Sequence, residues 1–230
     1  MSELPIGGFQ KLSLVDYPGR PCSIIFTQGC VFTCGYCHNP ELIPFTREGR
    51  LSEEDVIGIL EKQRTIVESV CITGGEPTLH KGLIPFLRRL KVLGFNIKLD
   101  TNGNNPSAIE VAVEDKLVDY IAMDIKAPWE KYMSVIGRGA EQKIERCRRT
   151  FSLIQESDID HEFRTTIHSA HTENDFIEMC EYLSPGERYF IQDTQYIKTL
   201  DPNFLRSALQ ATMLQKSLRS MFPHLKITAR

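Results

Sequence analysis

Short apolar runs alternate with amphipathic stretches along the chain. Ser23 to Thr27 (Ser-Ile-Ile-Phe-Thr) reads as a buried strand, and Val67 to Thr73, Asn96 to Asp100 and Tyr120 to Ile125 repeat the pattern. Between the first two strands, Leu51-Ser52-Glu53-Glu54 opens a helix, with Ser52 in the N-cap position and acids in the first turn. Leu83 to Leu93 has helical periodicity, and Gly94 stands where a C-terminal cap belongs. Ser107 to Lys116 is the next predicted helix. The second half is less sharply punctuated: helix Gln142 to Gln155, strand Glu162 to Ile167, helix Glu173 to Leu183 and strand Arg188 to Gln192. A last helix over Asn203 to Met221 and a short closing strand over Leu225 to Thr228 complete the reading.

Six βα units in succession predict an α/β fold, a parallel sheet with outer helices joined by right-handed crossovers. A closed eight-unit barrel usually takes about 250 residues, so 230 residues suit a partial (β/α)6 TIM-like barrel better. The expectation is one domain over 1–230, with 1–20 as an N-terminal extension and 21–230 as the partial barrel. Chemistry in such folds sits at the C-terminal ends of the strands, which is where the unusual residues of this chain fall.

Composition narrows the function classes. With 41% hydrophobic and 25% charged residues, the chain has an ordinary soluble balance. A formal net charge of −3 provides no global positive field for nucleic acid or a membrane surface. No apolar run is long enough to span a membrane, and the start lacks the basic and apolar regions of a signal peptide. The expected location is therefore the cytoplasm, where seven cysteines, an odd count, are not a disulfide framework. Cys22, Cys71, Cys147 and Cys180 are scattered without ligand-like spacing.

The other three cysteines cluster, in Gln28-Gly29-Cys30-Val31-Phe32-Thr33-Cys34-Gly35-Tyr36-Cys37-His38-Asn39-Pro40, on a loop after the first predicted strand. Soft thiolates select zinc, copper(I) or an iron–sulfur cluster. A four-iron cluster normally takes four thiolates, so three would leave one iron open to a small molecule. Zinc with His38 as fourth ligand is the alternative that this segment leaves standing.

Polar motifs end the next three strands. Thr73-Gly74-Gly75-Glu76-Pro77 puts two glycines where a backbone must approach something closely, with a carboxylate that can accept from an ammonium. Asp100-Thr101-Asn102-Gly103 ends the third strand in a turn. In Met123-Asp124-Ile125-Lys126, alternation puts Asp124 and Lys126 on one side, as an ion pair or a site for a zwitterion. Arg164 lies on a later strand and could reach a carboxylate or ribose, or make an internal ion pair; Gln192 ends the sixth strand facing the same region. His168 and His171 read as solvated loop residues and Trp129 as packing.

The C-x3-C-x2-C spacing of Cys30, Cys34 and Cys37, with the aromatic Tyr36 before the third cysteine, resembles the radical S-adenosylmethionine (SAM) superfamily. The resemblance implies a [4Fe–4S] cluster on the three cysteines. Its open iron chelates SAM, and one electron cleaves SAM to methionine and a 5′-deoxyadenosyl radical. It places Tyr36, His38 and the Gly74-Gly75-Glu76-Pro77 segment at SAM, the last at its amino group. Asp100-Thr101-Asn102 and Asp124-x-Lys126 resemble motifs of glycyl-radical-enzyme activases. That similarity sets Lys126 near the SAM carboxylate, with Asp100, Thr101, Met123 and Asp124 framing a polar site for a monovalent cation.

Residues 7–19 (Gly-Gly-Phe-Gln-Lys-Leu-Ser-Leu-Val-Asp-Tyr-Pro-Gly), together with Tyr36 to Leu42, resemble the anaerobic ribonucleoside-triphosphate reductase activating protein family. This implies hydrogen-atom removal from a backbone glycine of a partner enzyme, an open barrel mouth to admit it, and a reduced flavodoxin or ferredoxin as electron donor. Neither nucleic acid nor membrane is expected as a partner. The remaining cysteines form no second cluster motif, which fits a minimal member. Pyruvate formate-lyase activases share Tyr-Cys-His-Asn, and 7-carboxy-7-deazaguanine synthases are comparably small; a non-enzymatic module held by zinc is the reading from another class.

Overall fold

The computed structural model describes residues 3–46, 51–137, 141–194, 199–201, 204 and 207–230. Eight strands form one sheet in sequence order: β1 (Ile6–Ser13), β2 (Cys22–Thr27), β3 (Ser69–Gly74), β4 (Asn96–Thr101), β5 (Tyr120–Asp124), β6 (Asp160–Thr166), β7 (Arg188–Gln192) and β8 (Lys226–Ala229). β1 pairs antiparallel with β2, and all later neighbours are parallel. Helices α1 (Glu53–Gln63), α2 (Leu83–Val92), α3 (Pro106–Glu114), α4 (Tyr132–Ile136), α5 (Glu141–Glu156), α6 (Glu173–Glu181) and α7 (Ala211–Met221) fill the crossovers. The six βα units of the sequence reading are all present, in a parallel-dominated α/β sheet of the partial-barrel kind. The sheet curls so that Val15 and Asp16 beside its first strand line one chamber with Gln192 and Arg230 beside its last.

The main core lies between sheet and helices. Val70, Ile72, Ile97, Leu99 and Ile121 face it from the strands, and Val56, Leu60, Phe86, Leu87 and Leu90 from the helices, all fully buried. Each such side chain contributes about 1.5–3 kcal/mol by leaving water. The inner face of the sheet is different in kind: Lys98, Asp100, Glu162 and Arg164 point into it, and buried charge of that sort has to be paired.

Local signals act as the sequence predicts. Ser52 caps α1, its Oγ accepting from the Asp55 amide at 3.0 Å. Gly94 adopts φ +79° after α2 and donates its N–H to the Lys91 carbonyl at 2.9 Å. Three features differ. Residues 6–13, inside the expected extension, form the edge strand β1, whose alternation is masked by Gly7, Gly8 and Lys11. Helix α4 is an added short turn. The last helix begins at Ala211, not Asn203, because Asp193 after β7 accepts the Ala211 amide at 2.9 Å and fixes the start there. Residues 203, 205 and 206 of that expected helix lie outside the described residues. Among the described residues no helix is long and apolar enough to cross a membrane.

Candidate active site

The C-terminal ends of the strands surround a solvent-connected cavity of about 180 Å³. Its lining unites the segments singled out from sequence: Cys30, Cys34, Tyr36, Cys37 and His38 from the loop after β2, residues 73–77 at the end of β3, Asp100, Thr101 and Asn102 at the end of β4, Asp124 and Lys126 at the end of β5, and Arg164 on β6.

The cysteine loop is held by backbone contacts to the next strand end. Gly75 and Glu76 donate their N–H groups to the carbonyls of Thr27 and Gly29, both at 2.9 Å. A Cβ on Gly75 would run into the Gly29 carbonyl, and Gly74 adopts φ +115° against the Thr27 backbone. The close approach that the two glycines permit is therefore to the cysteine loop itself. Glu76 is likewise committed. Its buried carboxylate accepts from the Thr78 amide at 3.1 Å, the Thr78 hydroxyl at 2.5 Å, the Thr101 hydroxyl at 2.8 Å and the Asn102 amide at 2.6 Å. Burial pushes its pKa up while these donors oppose the rise. Glu76 ties β3 to β4, and the Asn102 amide group in turn donates to the Cys30 sulfur at 3.8 Å.

Below the cysteines runs a chain of buried charges. Asp100 pairs with Lys98 and, at 3.0 Å, with Arg164. Arg164 also donates to Asp124 at 2.9 Å, and Asp124 meets the Lys126 ammonium at 3.3 Å. Burial works against the charge of Asp100, but Arg164 and Lys98 outweigh it and hold its carboxyl below the usual range; Arg164 and Lys126 do the same for Asp124. Arg164 is thus the hub of the site. Sequence reasoning missed Lys98, although its i, i+2 spacing from Asp100 on one strand was a usable signal.

The two histidines correct their sequence reading. His168 and His171 are buried, not solvated, with ring centroids 3.6 Å apart. His168 also stacks on Tyr36 at 4.8 Å. The His168 amide donates to His171 Nδ1 at 3.3 Å, so His171 carries its proton on Nε2 and donates it to the Lys126 carbonyl at 3.1 Å. Burial lowers the pKa to about 4 for His168 and about 3 for His171. Gln192 does not line the main cavity; it lies in the adjoining chamber of about 350 Å³ with His38, Arg164 and Thr166. Trp129 packs as expected, stacked on Tyr182 at 5.6 Å.

Cys30, Cys34 and Cys37 share one cavity wall and offer three soft sulfur donors. An iron–sulfur cluster held there would take one thiolate on each of three irons. Burial pushes the Cys30 and Cys34 thiols up to about 12 and about 11, so a bound metal centre has to supply the charge that keeps them as thiolates.

Comparison with known proteins agrees with this geometry. The profile described as the Radical SAM superfamily matches residues 24–183, and the chain belongs to that superfamily. Within it, the chain groups with the glycyl-radical enzyme activating enzymes. A Methanocaldococcus jannaschii protein bearing that name is 30% identical over 203 residues, covering 86% of this chain and 83% of its own. The pyruvate formate-lyase-activating enzyme of Staphylococcus aureus is 32% identical over 131 residues, 51% of each chain. Among solved structures, Escherichia coli QueE aligns over 99% of this chain and 93% of its own, with TM-score 0.60 and 17% identity. Streptococcus suis SuiB bound to S-adenosylmethionine aligns over 88% of this chain at TM-score 0.69 and 15% identity; this chain spans only 48% of it. These two likenesses concern the fold.

Proposed function

We propose that this protein binds SAM at a [4Fe–4S] cluster on Cys30, Cys34 and Cys37 and generates a glycyl radical on a partner enzyme, anaerobic ribonucleoside-triphosphate reductase. The observation that supports the reading best is the convergence of three thiols and the ends of β3 to β6 on one open cavity. When bound, the cluster supplies the electron that cleaves SAM reductively. The chain's own residues bind and orient. Lys126, held over the Tyr36 ring at 5.8 Å and tethered by Asp124, offers a positive charge to the SAM carboxylate. The turn at Gly74 and Gly75 offers carbonyl oxygens to the ammonium, since its N–H groups at Gly75 and Glu76 are spent on the cysteine loop. Tyr36 and His38 border the same space, and the open mouth leaves room for a glycine-bearing loop of the partner. A reduced flavodoxin or ferredoxin would deliver the electron, in the cytoplasm.

The test is anaerobic reconstitution with iron and sulfide, reduction, and measurement of 5′-deoxyadenosine with and without an anaerobic ribonucleoside-triphosphate reductase from the same organism. The reading predicts nucleoside release together with a glycyl radical signal on the reductase. Release with the radical appearing on a pyruvate formate-lyase instead would keep the chemistry and replace the partner. Absence of release would refute the reading.

A further inference from the structure

The family resemblance implies a monovalent cation framed by Asp100, Thr101, Met123 and Asp124, and the side chains found there do not fit one. Asp100 is taken by Lys98 and by Arg164 at 3.0 Å. Asp124 is taken by Arg164 at 2.9 Å and Lys126 at 3.3 Å. The Thr101 hydroxyl donates to Glu76 at 2.8 Å and accepts the Gly103 amide at 3.0 Å. The Met123 side chain is fully buried in the outer core, packed against Gly103, and does not line the cavity.

We propose that the guanidinium of Arg164 stands in for the metal cation between Asp100 and Asp124, so that this chain binds SAM without a monovalent ion. The geometry suits the role. A planar fork with five donors can serve two carboxylates at once, which an ammonium cannot do as well. Nε faces Asp124 and one terminal nitrogen faces Asp100, so the same group clamps β4, β5 and β6 together. The chain of charges then holds three cations, Lys98, Arg164 and Lys126, against two anions, Asp100 and Asp124. Within this chain the surplus positive charge lies at Lys126, and buried Glu76 on the same cavity wall balances it, so the pull on an incoming carboxylate is local to the Lys126 ammonium. A metal ion added between the two aspartates would have to displace Arg164, leaving a buried guanidinium without partners.

The inference rests on the SAM-binding reading, and the test separates the two. The reconstituted protein is held in tetramethylammonium buffer at fixed ionic strength. SAM affinity is measured calorimetrically with and without K⁺, and thallous ion, a K⁺ substitute, is titrated by thallium NMR. The expected result is no saturable thallium binding and a SAM Kd that changes by less than about twofold with K⁺. Arg164→Gln should bind SAM about tenfold or more weakly without K⁺ and recover part of that affinity when K⁺ is added. A wild-type Kd that tightens about tenfold with K⁺ would overturn the inference. So would saturable thallium binding that Asp124→Asn removes. If Arg164→Gln does not fold, the wild-type measurements decide. If the wild type binds no SAM, that reading fails, and thallium binding still decides the identity of the cation.

Discussion

His168 and His171 are neutral inside the fold, and that has a pH signature. Both carry folded pKa values lowered by burial, to about 4 and about 3, whereas an unfolded histidine titrates near 6.5. Between those values the unfolded chain binds protons that the folded chain refuses, so the histidines' contribution is complete above about pH 6.5 and is lost as pH falls toward 4. Asp100 and Asp124, whose folded pKa values lie below the ordinary carboxylate value, add a second loss only below about pH 4. Urea unfolding across this range should show stability declining from about pH 6.5 downward. His168→Phe, which keeps an aromatic surface against Tyr36, should make that decline shallower. An unchanged slope in the variant would contradict the buried neutral assignment. The sequence could not announce this stack. Two histidines three residues apart in Ile167-His168-Ser169-Ala170-His171 carry no burial signal of their own, and the rings that cover them, Tyr36 and Phe204, come from distant loops.

At the scale of elements, the turn after β3 acts as a clasp on the cysteine loop. Gly75→Ala would press a methyl group into the Gly29 carbonyl and push Cys30 away from its partners, while the outer core remains as it is. The expected outcome is a folded protein with a melting temperature lowered by a few degrees, by analogy with a cost of about 1–3 kcal/mol, and with little bound iron after reconstitution. Full iron content would show that the close approach does not govern the loop. Much of this was legible beforehand. A glycine pair at a strand end states that something comes close, but not whether that is a ligand or the protein's own backbone. Periodicity set the bounds of β7 and came within one residue at either end of α5, because both have clear apolar faces. It failed at β1, where glycines and lysine break the alternation, and at the start of α7, where a distant carboxylate, Asp193, supplies the cap.

Across the whole molecule, the sheet gathers segments about 130 residues apart in sequence, from Cys30 to Arg164, onto one rim. Local motifs identified most of that rim, since each sits at the C-terminal end of its own strand. The pairing of Arg164 with both Asp100 and Asp124 was not legible, because it depends on how far the sheet curls between β4 and β6. The central claim is that the three cysteines hold a cluster with one iron open to SAM. The most direct measurement is electron paramagnetic resonance of the reduced, reconstituted protein as SAM is added. A cluster signal that changes on SAM addition, and that is absent in Cys34→Ala, is the predicted result. A signal indifferent to SAM, or one retained in Cys34→Ala, would contradict it.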